Sequence, residues 1–560
     1  MTAKKGVVCV KNEGYDLKYS AMLATNNYCN FLDEKKDYIP YFYLMTKEET
    51  CGAHCEWDFG DATGRYLDAL ILCSKITGST SDIEQTIERL YKALKKMISP
   101  KDGLCYRPKG YDWVLHAANS FDQRSCILGF ASYYKKHHNQ ETFLLVENLI
   151  RGLYKMGIEY DNYFFIPVTD YNDNLDKNIF KSKPFDIADY QADQCHYGGG
   201  VIIYPLMYWY HLTGSQSALE LAGKISRFIV YHSKVYAKDG SFFILGNGVD
   251  SDGHFHSRVE TSTGVLEYAL VAKNKELQAF SKAVYDWATT QGTRYGMFPE
   301  GLGRKVIDDR PEEYPEVARH SEICSTTDMI ELAILLGRCS STDYFDHAEK
   351  YLNHLIASQL DDISWIKPPP VKEDNELCTY RDVASRYRGS YTGRTTVNDL
   401  TNFGVYDNMG CCSAAGGRGV FMLWDNAVSI IDADFLINML LNCDNDLVYI
   451  QQKTENKITI HPKLPSKTLK IRIPQWLKGS MGKVCFTYED GTVISDIAEI
   501  DGYFILSHYE NQPITMSFPV LEVVEKQKFC GGEYQVVWAR NRVVEVTPRG
   551  KYIPLYSRKV

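Results

Sequence analysis

The sequence predicts a mainly helical protein with a β-rich tail, a six-hairpin (α/α) toroid followed by a C-terminal β-sandwich. Three observations lead there: a helical spacing of apolar residues from about 15 to about 435, the pairing of those segments across short polar turns, and a change to alternating spacing after Asn442. Residues 1–436 are expected to form the helical domain and 437–560 the sandwich.

The helical spacing is explicit in several stretches. Ala218, Leu221, Ala222, Ile225, Phe228 and Ile229 fall on one face, as do Met329, Leu332, Ala333 and Leu336, and likewise Val420, Leu423, Trp424, Ala427 and Ile431. About a dozen helices are expected near 16–29, 62–77, 83–98, 119–136, 141–157, 197–213, 217–232, 258–272, 275–290, 325–338, 344–359 and 414–431. The turns Thr77-Gly78-Ser79 and Thr213-Gly214-Ser215 join consecutive members as helical hairpins require. Two long connections, at 160–195 and 360–410, interrupt the pattern. The second carries Pro368-Pro369-Pro370 and then Arg381, Arg386, Arg388 and Arg394, and a loop of this length inside a helical domain is expected to wall or cover a pocket. In the tail, Lys457–Ile460, Leu469–Pro474, Tyr503–Leu506, Ile514–Phe518 and Arg542–Val546 read as strands.

At 560 residues the chain is too long for one small domain. Its net charge of -9, with acidic and basic residues intermixed, argues against nucleic acid or an anionic membrane as partner. The 40 Tyr and 8 Trp offer amphipathic rings suited to sugar faces as well as to the core. No leader-length apolar stretch follows Met1, and no run long enough to span a membrane occurs. Sixteen cysteines without a disulfide-scaffold spacing then fit a reducing, cytoplasmic setting.

Chemistry concentrates in Glu322-Ile323-Cys324 and Cys411-Cys412. Three thiols and a carboxylate can close a tetrahedral zinc shell, whereas free cysteines in isolation are ordinary small core residues. Adjacent cysteines rarely bridge each other without strain. Ser325-Thr326-Thr327-Asp328 reads as a capping box and Ser413 as an N-cap, so both pairs are expected at helix N-termini, where the dipole favours thiolate. Gly416, Gly417 and Gly419 in the following turns imply a close backbone approach, to the metal loop or to a sugar, with loose helix packing as the equally simple alternative. His54 (with Trp57 and Asp58), His196, His254 and His256 each precede a predicted helix and are candidates to bond sugar hydroxyls; capping or core roles are the plainer alternative. Cys51 and Cys55 only weakly suggest a second metal site.

These pieces, together with Arg472-Ile473-Pro474-Gln475-Trp476 and Pro548-Arg549-Gly550 through Pro554-Leu555-Tyr556, resemble the β-L-arabinofuranosidase family of glycoside hydrolases, family 127. The resemblance implies zinc held by Glu322, Cys324, Cys411 and Cys412, with Cys411 as nucleophile. It implies Glu300, in Phe298-Pro299-Glu300-Gly301, as general acid/base, although Glu312, Glu313 and Glu316 compete for that role. The expected activity is retaining exo-hydrolysis of a terminal furanoside, with L-arabinofuranose the first choice. A carbohydrate is thus the expected partner, and a homodimer is compatible with the sandwich. The alternatives are a sugar-binding protein with structural zinc, or a lyase or epimerase on the same toroid.

Overall fold

The computed structural model describes residues 14–172, 195, 198–243, 253–302, 320–401, 408–466, 468–507, 509–529 and 532–557. The helices are α1 (Leu17–Asn30), α2 (Gly60–Thr77), α3 (Ser81–Lys96), α4 (Ser120–His137), α5 (Gln140–Met156), α6 (Ile203–Thr213), α7 (Gln216–Arg227), α8 (Phe255–Val271), α9 (Lys275–Thr289), α10 (Ile323–Cys339), α11 (Tyr344–Ala357), the one-turn α12 (Val383–Tyr387) and α13 (Gly410–Asp425). Six of them contact one another in a closed cycle, α2–α4–α6–α8–α10–α13 and back to α2, and the alternate helices α3, α5, α7, α9 and α11 each pack against members of that cycle.

Burial separates the two sets. Along α2, α8, α10 and α13 nearly every residue is buried, charged ones included, while α3 and α7 bury one apolar stripe and expose the opposite face. A helix enclosed on all sides needs small residues where backbones meet. A Cβ added to Gly64 of α2 would lie 2.3 Å from the Ser125 carbonyl oxygen on α4, and one added to Gly129 would lie 2.7 Å from the carbonyl of Gly64. A helical glycine costs about 1 kcal/mol relative to alanine, so the close approach has to offset that much at each site. In α13, a Cβ on Gly416 would strike the Tyr391 ring at 2.2 Å and one on Gly417 the Tyr28 hydroxyl at 2.2 Å. These glycines accommodate neighbouring aromatic side chains.

The expected helix 414–431 ends at Asp425, and Val428–Ile431 is a strand. The apolar positions 420, 423, 424, 427 and 431 fit a helical face, yet Val428-Ser429-Ile430-Ile431 pairs with Asp434–Ile437 and Ile431 is exposed. That strand opens a five-stranded sheet whose other members are 434–437, 469–472, 503–506 and 497–500. A second five-stranded sheet comprises 443–444, 448–454, 457–462, 514–517 and 485–488. The two share one apolar core, with Phe435, Leu469, Ile471 and Phe504 from the first and Ile450, Ile458, Ile514 and Met516 from the second. A three-stranded sheet (522–529, 532–539, 542–547) packs Val536, Trp538 and Val546 against Tyr295 and Met297 of the helical part.

Two polar fastenings join these parts. Buried Arg472 reaches Asp346 and Glu349 of α11, each at 3.0 Å. Asp399, on the long connection, accepts from the backbone amides of Lys551, Tyr552 and Ile553 at 2.8 to 2.9 Å, so the C-terminal stretch anchors the loop that carries Arg394. Among the described residues no helix is long and apolar enough to cross a membrane.

Candidate metal centre

Both ligand pairs lie at the N-terminus of a helix, as expected, but the caps differ from the expectation. The N-cap positions are Glu322 and Met409, and neither makes a side-chain cap bond. Ser325 is already inside α10, where its hydroxyl donates to the Pro299 carbonyl at 3.0 Å, so the predicted capping box does not form. Starting earlier places Cys324, Cys411 and Cys412 within the turn whose amide groups lack intrahelical acceptors.

The donor atoms of Glu322, Cys324, Cys411 and Cys412 all lie within 4.8 Å of one another, the one such group of potential metal ligands among the described residues. Cys51 and Cys55 therefore join no second group. Sulfur separations are 3.8 Å for Cys324–Cys412 and 3.9 Å for Cys411–Cys412. A tetrahedral ion with Zn–S bonds of ~2.3 Å has edges of about 3.8 Å, so the spacing fits a zinc-sized, thiophilic ion. Three sulfurs and one oxygen also match that ion's ligand preference better than a hard cation's.

Burial distinguishes the three thiols. Cys324 and Cys412 are 0% exposed and Glu322 4%, whereas Cys411 is 9% exposed. Hydrogen bonds from Cys324 and Cys412 pull the Cys411 thiol well below its ordinary value, and the Arg65 charge adds to the effect; burial pushes Cys324 and Cys412 up. Cys411 is thus the most accessible of the three, and its surroundings favour the thiolate.

His254 caps α8 and bonds the cluster directly. Its Nε2 lies 3.0 Å from Glu322 Oε2 and its Nδ1 2.6 Å from the Ser257 hydroxyl. With a carboxylate on one side and a hydroxyl on the other, the proton belongs on Nε2, which orients the Glu322 carboxylate. His256 lies two residues further on, in the first turn of α8. Its Nδ1 bonds Asp328, its Nε2 receives Arg65 Nη2 at 3.2 Å, and burial pulls it down to about 3, so it is a neutral member of the network. His54 is elsewhere: its nitrogens bond Asp58 at 2.7 Å and Asp33 at 3.0 Å while its ring stacks on Tyr41 and Trp113. His196 lies outside the described residues, as do Glu312, Glu313 and Glu316.

Glu300 is brought beside the cluster by its backbone. Its carbonyl accepts from Phe255 N at 2.9 Å and its amide donates to His320 O at 3.0 Å, while Gly301 bridges His254 and Pro299 bridges Ser321. The short extended stretch 299–301 is therefore wedged between the entries to α8 and α10. Its carboxylate accepts from Arg394 Nη2 at 2.7 Å, which draws the segment around Arg394 into the site. A separate 430 Å³ cavity lies between the end of α3 and the 98–116 segment, lined by Phe59, Tyr106, Arg107 and Tyr111 among others; neither the cluster nor Glu300 lines it.

Arg65 was not legible as a site residue. It reaches the cluster from α2, with Nη1 3.9 Å from Cys324 Sγ. The only sequence signal was a four-residue spacing from Asp61, a common surface pattern.

Solved structures supply the comparison. A GH127 beta-arabinofuranosidase superposes with a TM-score of 0.60 at 14% identity over 94% of this chain and 80% of its own. The GH127 beta-L-arabinofuranosidase Ara127N from Geobacillus stearothermophilus T6 gives 0.56 at 12% over the same shares, and another glycoside hydrolase 0.58 at 12% over 87% and 77%. The chain shares their fold. No protein-family model matches the sequence, and no curated protein does either.

Proposed function

We propose that this chain is a retaining glycoside hydrolase of the GH127 kind, acting on terminal β-L-arabinofuranosides or closely related sugars. In this reading the helical cycle is the six-hairpin toroid, the paired sheets are the β-sandwich, and the division falls near residue 436. The observation that carries the proposal is the four-donor cluster with zinc-compatible sulfur spacing, on a fold shared with GH127 structures over 94% of the chain.

Glu322, Cys324, Cys411 and Cys412 would hold the ion, and zinc bound there keeps sulfur ionised at neutral pH and makes it a competent leaving group. Cys411, the least buried of the three thiols, attacks the anomeric carbon as its thiolate. Glu300 gives its proton to the departing glycosidic oxygen and then takes one from the water that breaks the carbon–sulfur bond. Two inversions give net retention. The Arg394 guanidinium favours ionised Glu300, the form the second step needs. The first step requires the Arg394–Glu300 pair to part as substrate enters.

The test uses zinc-analysed protein and 4-nitrophenyl β-L-arabinofuranoside, with the anomer of the first product read by NMR. The wild type should release the β-anomer, and Cys411→Ser and Glu300→Gln should each lose roughly 10³-fold or more in kcat. Full turnover by Cys411→Ser, or zinc-loaded wild type inert on every pentofuranoside offered, refutes the proposal.

A further inference from the structure

Arg65 brings a permanent positive charge onto a cluster sulfur, and its surroundings are built to hold it there. It projects from α2, buried to 5% exposure, where the Gly64–Gly129 contact brings α2 and α4 together. Nε donates to Asp61 Oδ1 at 2.6 Å, Nη2 to His256 Nε2 at 3.2 Å and Nη1 to Cys324 Sγ at 3.9 Å, while the Phe121 ring lies 5.6 Å from the guanidinium carbon. Each holder is held in turn: Asp61 by the Ser125 hydroxyl at 2.6 Å, and His256 by Asp328. His256 can accept from Arg65 only as the tautomer protonated on Nδ1, and the Asp328 carboxylate on Nδ1 selects that tautomer.

Three thiolates and a carboxylate around a dication leave two net negative charges in a buried site. An anion there is costly unless it is hydrogen-bonded and paired. We infer that Arg65 is the positioning residue for the metal–thiolate cluster, donating to the Cys324 sulfur and stabilising the anionic, metal-loaded form, and that His256 and Asp328 aim it. The inference rests on the metal reading above and assigns Arg65 no contact with substrate. It also gives His256 a role other than the sugar contact expected from sequence.

The experiment replaces zinc by cobalt(II) in the full-length protein, records the sulfur-to-cobalt charge-transfer band, and measures zinc affinity by chelator competition at pH 7.5. Arg65→Met should weaken zinc about tenfold and move the band to longer wavelength, because a thiolate relieved of an N–H donor gives up its electron more readily. Arg65→Lys should recover most of both effects. His256→Gln keeps Arg65 but breaks the His256–Asp328 pair that aims it, and should shift the band in the same direction by less, which keeps the test decisive if Arg65→Met does not fold. Unchanged band and affinity in Arg65→Met, or, should that variant not fold, in His256→Gln, overturn the assignment. Wild-type protein that binds neither metal overturns the metal reading itself, a separate result.

Discussion

His54 and Cys411 each sit in a buried cluster of ionisable groups near the start of an inner helix, yet the two clusters resolve their charge differently. Around His54, two carboxylates face one imidazole, and Lys36 lies 2.9 Å from Asp33, so protein groups of both signs are present in equal number once the imidazole is protonated. Burial alone would lower His54, but its bonds to Asp33 and Asp58 outweigh that and hold it above its ordinary value. Around Cys411, three sulfurs and Glu322 face Arg65, whose charge is already shared with Asp61. The first cluster closes with what the chain supplies; the second, in the proposed thiolate form, closes only with a bound cation. Burial of charge is common to both, and the imbalance is what marks a metal centre.

The sharpest way to break this contrast is to remove a ligand that has no other duty. Cys412 is fully buried and is not the proposed nucleophile, so Cys412→Ala should weaken zinc binding by 100-fold or more, about 2.7 kcal/mol, and lower the thermal midpoint of the zinc-loaded protein towards that of the metal-free one. Competition against a chelator and calorimetry with and without zinc check it; equal affinity would remove Cys412 from the shell.

A smaller effect is expected at the self-balanced cluster, and it depends on pH instead of metal. Because the folded His54 value lies above the unfolded one, its proton contributes stability fully present below pH 6.5 and lost as pH rises through the folded value. Burial raises Asp58 to about 6, which acts in the same direction. Asp58→Asn should therefore cost about 2 kcal/mol at pH 5.5 and clearly less at pH 8.5, with zinc affinity unchanged. Denaturant unfolding at the two pH values measures this. A cost that grows with pH would show that His54 and Asp58 do not take up protons on folding as described.

The sequence carried the helices because an enclosed helix still repeats its apolar positions every three or four residues, and it carried the cluster because Glu-x-Cys and Cys-Cys are dense in ligands. It did not carry what depends on which helices meet. Val428–Ile431 continues a helical apolar spacing and becomes a strand through pairing with Asp434–Ile437, a partner that periodicity does not register. Ser325-Thr326-Thr327-Asp328 has the composition of a cap, but α10 begins at Ile323 and Asp328 is spent on His256. The four histidines looked alike as loop residues entering helices. Only the fold separates His254, which bonds a cluster ligand, from His256, which aims Arg65, and from His54, which joins two carboxylates of its own.

The smallest predicted effect tests the outer layer of the metal centre. His254 makes no metal bond in this reading; it fixes the Glu322 carboxylate by donating from Nε2 while the Ser257 hydroxyl donates to Nδ1. Replacing it with Gln keeps a donor of similar reach but loses the planar ring that links the two partners, so Glu322 gains rotational freedom and the three sulfurs are unaffected. Zinc affinity should fall about tenfold, near 1.4 kcal/mol, against the hundredfold of Cys412→Ala. The cobalt charge-transfer band, which reports sulfur, should stay in place, whereas Arg65→Met should move it. A band shift in His254→Gln would mean that the histidine acts on the thiolates after all, and the division of labour between an oxygen side held by α8 and a sulfur side held by α2 would fail.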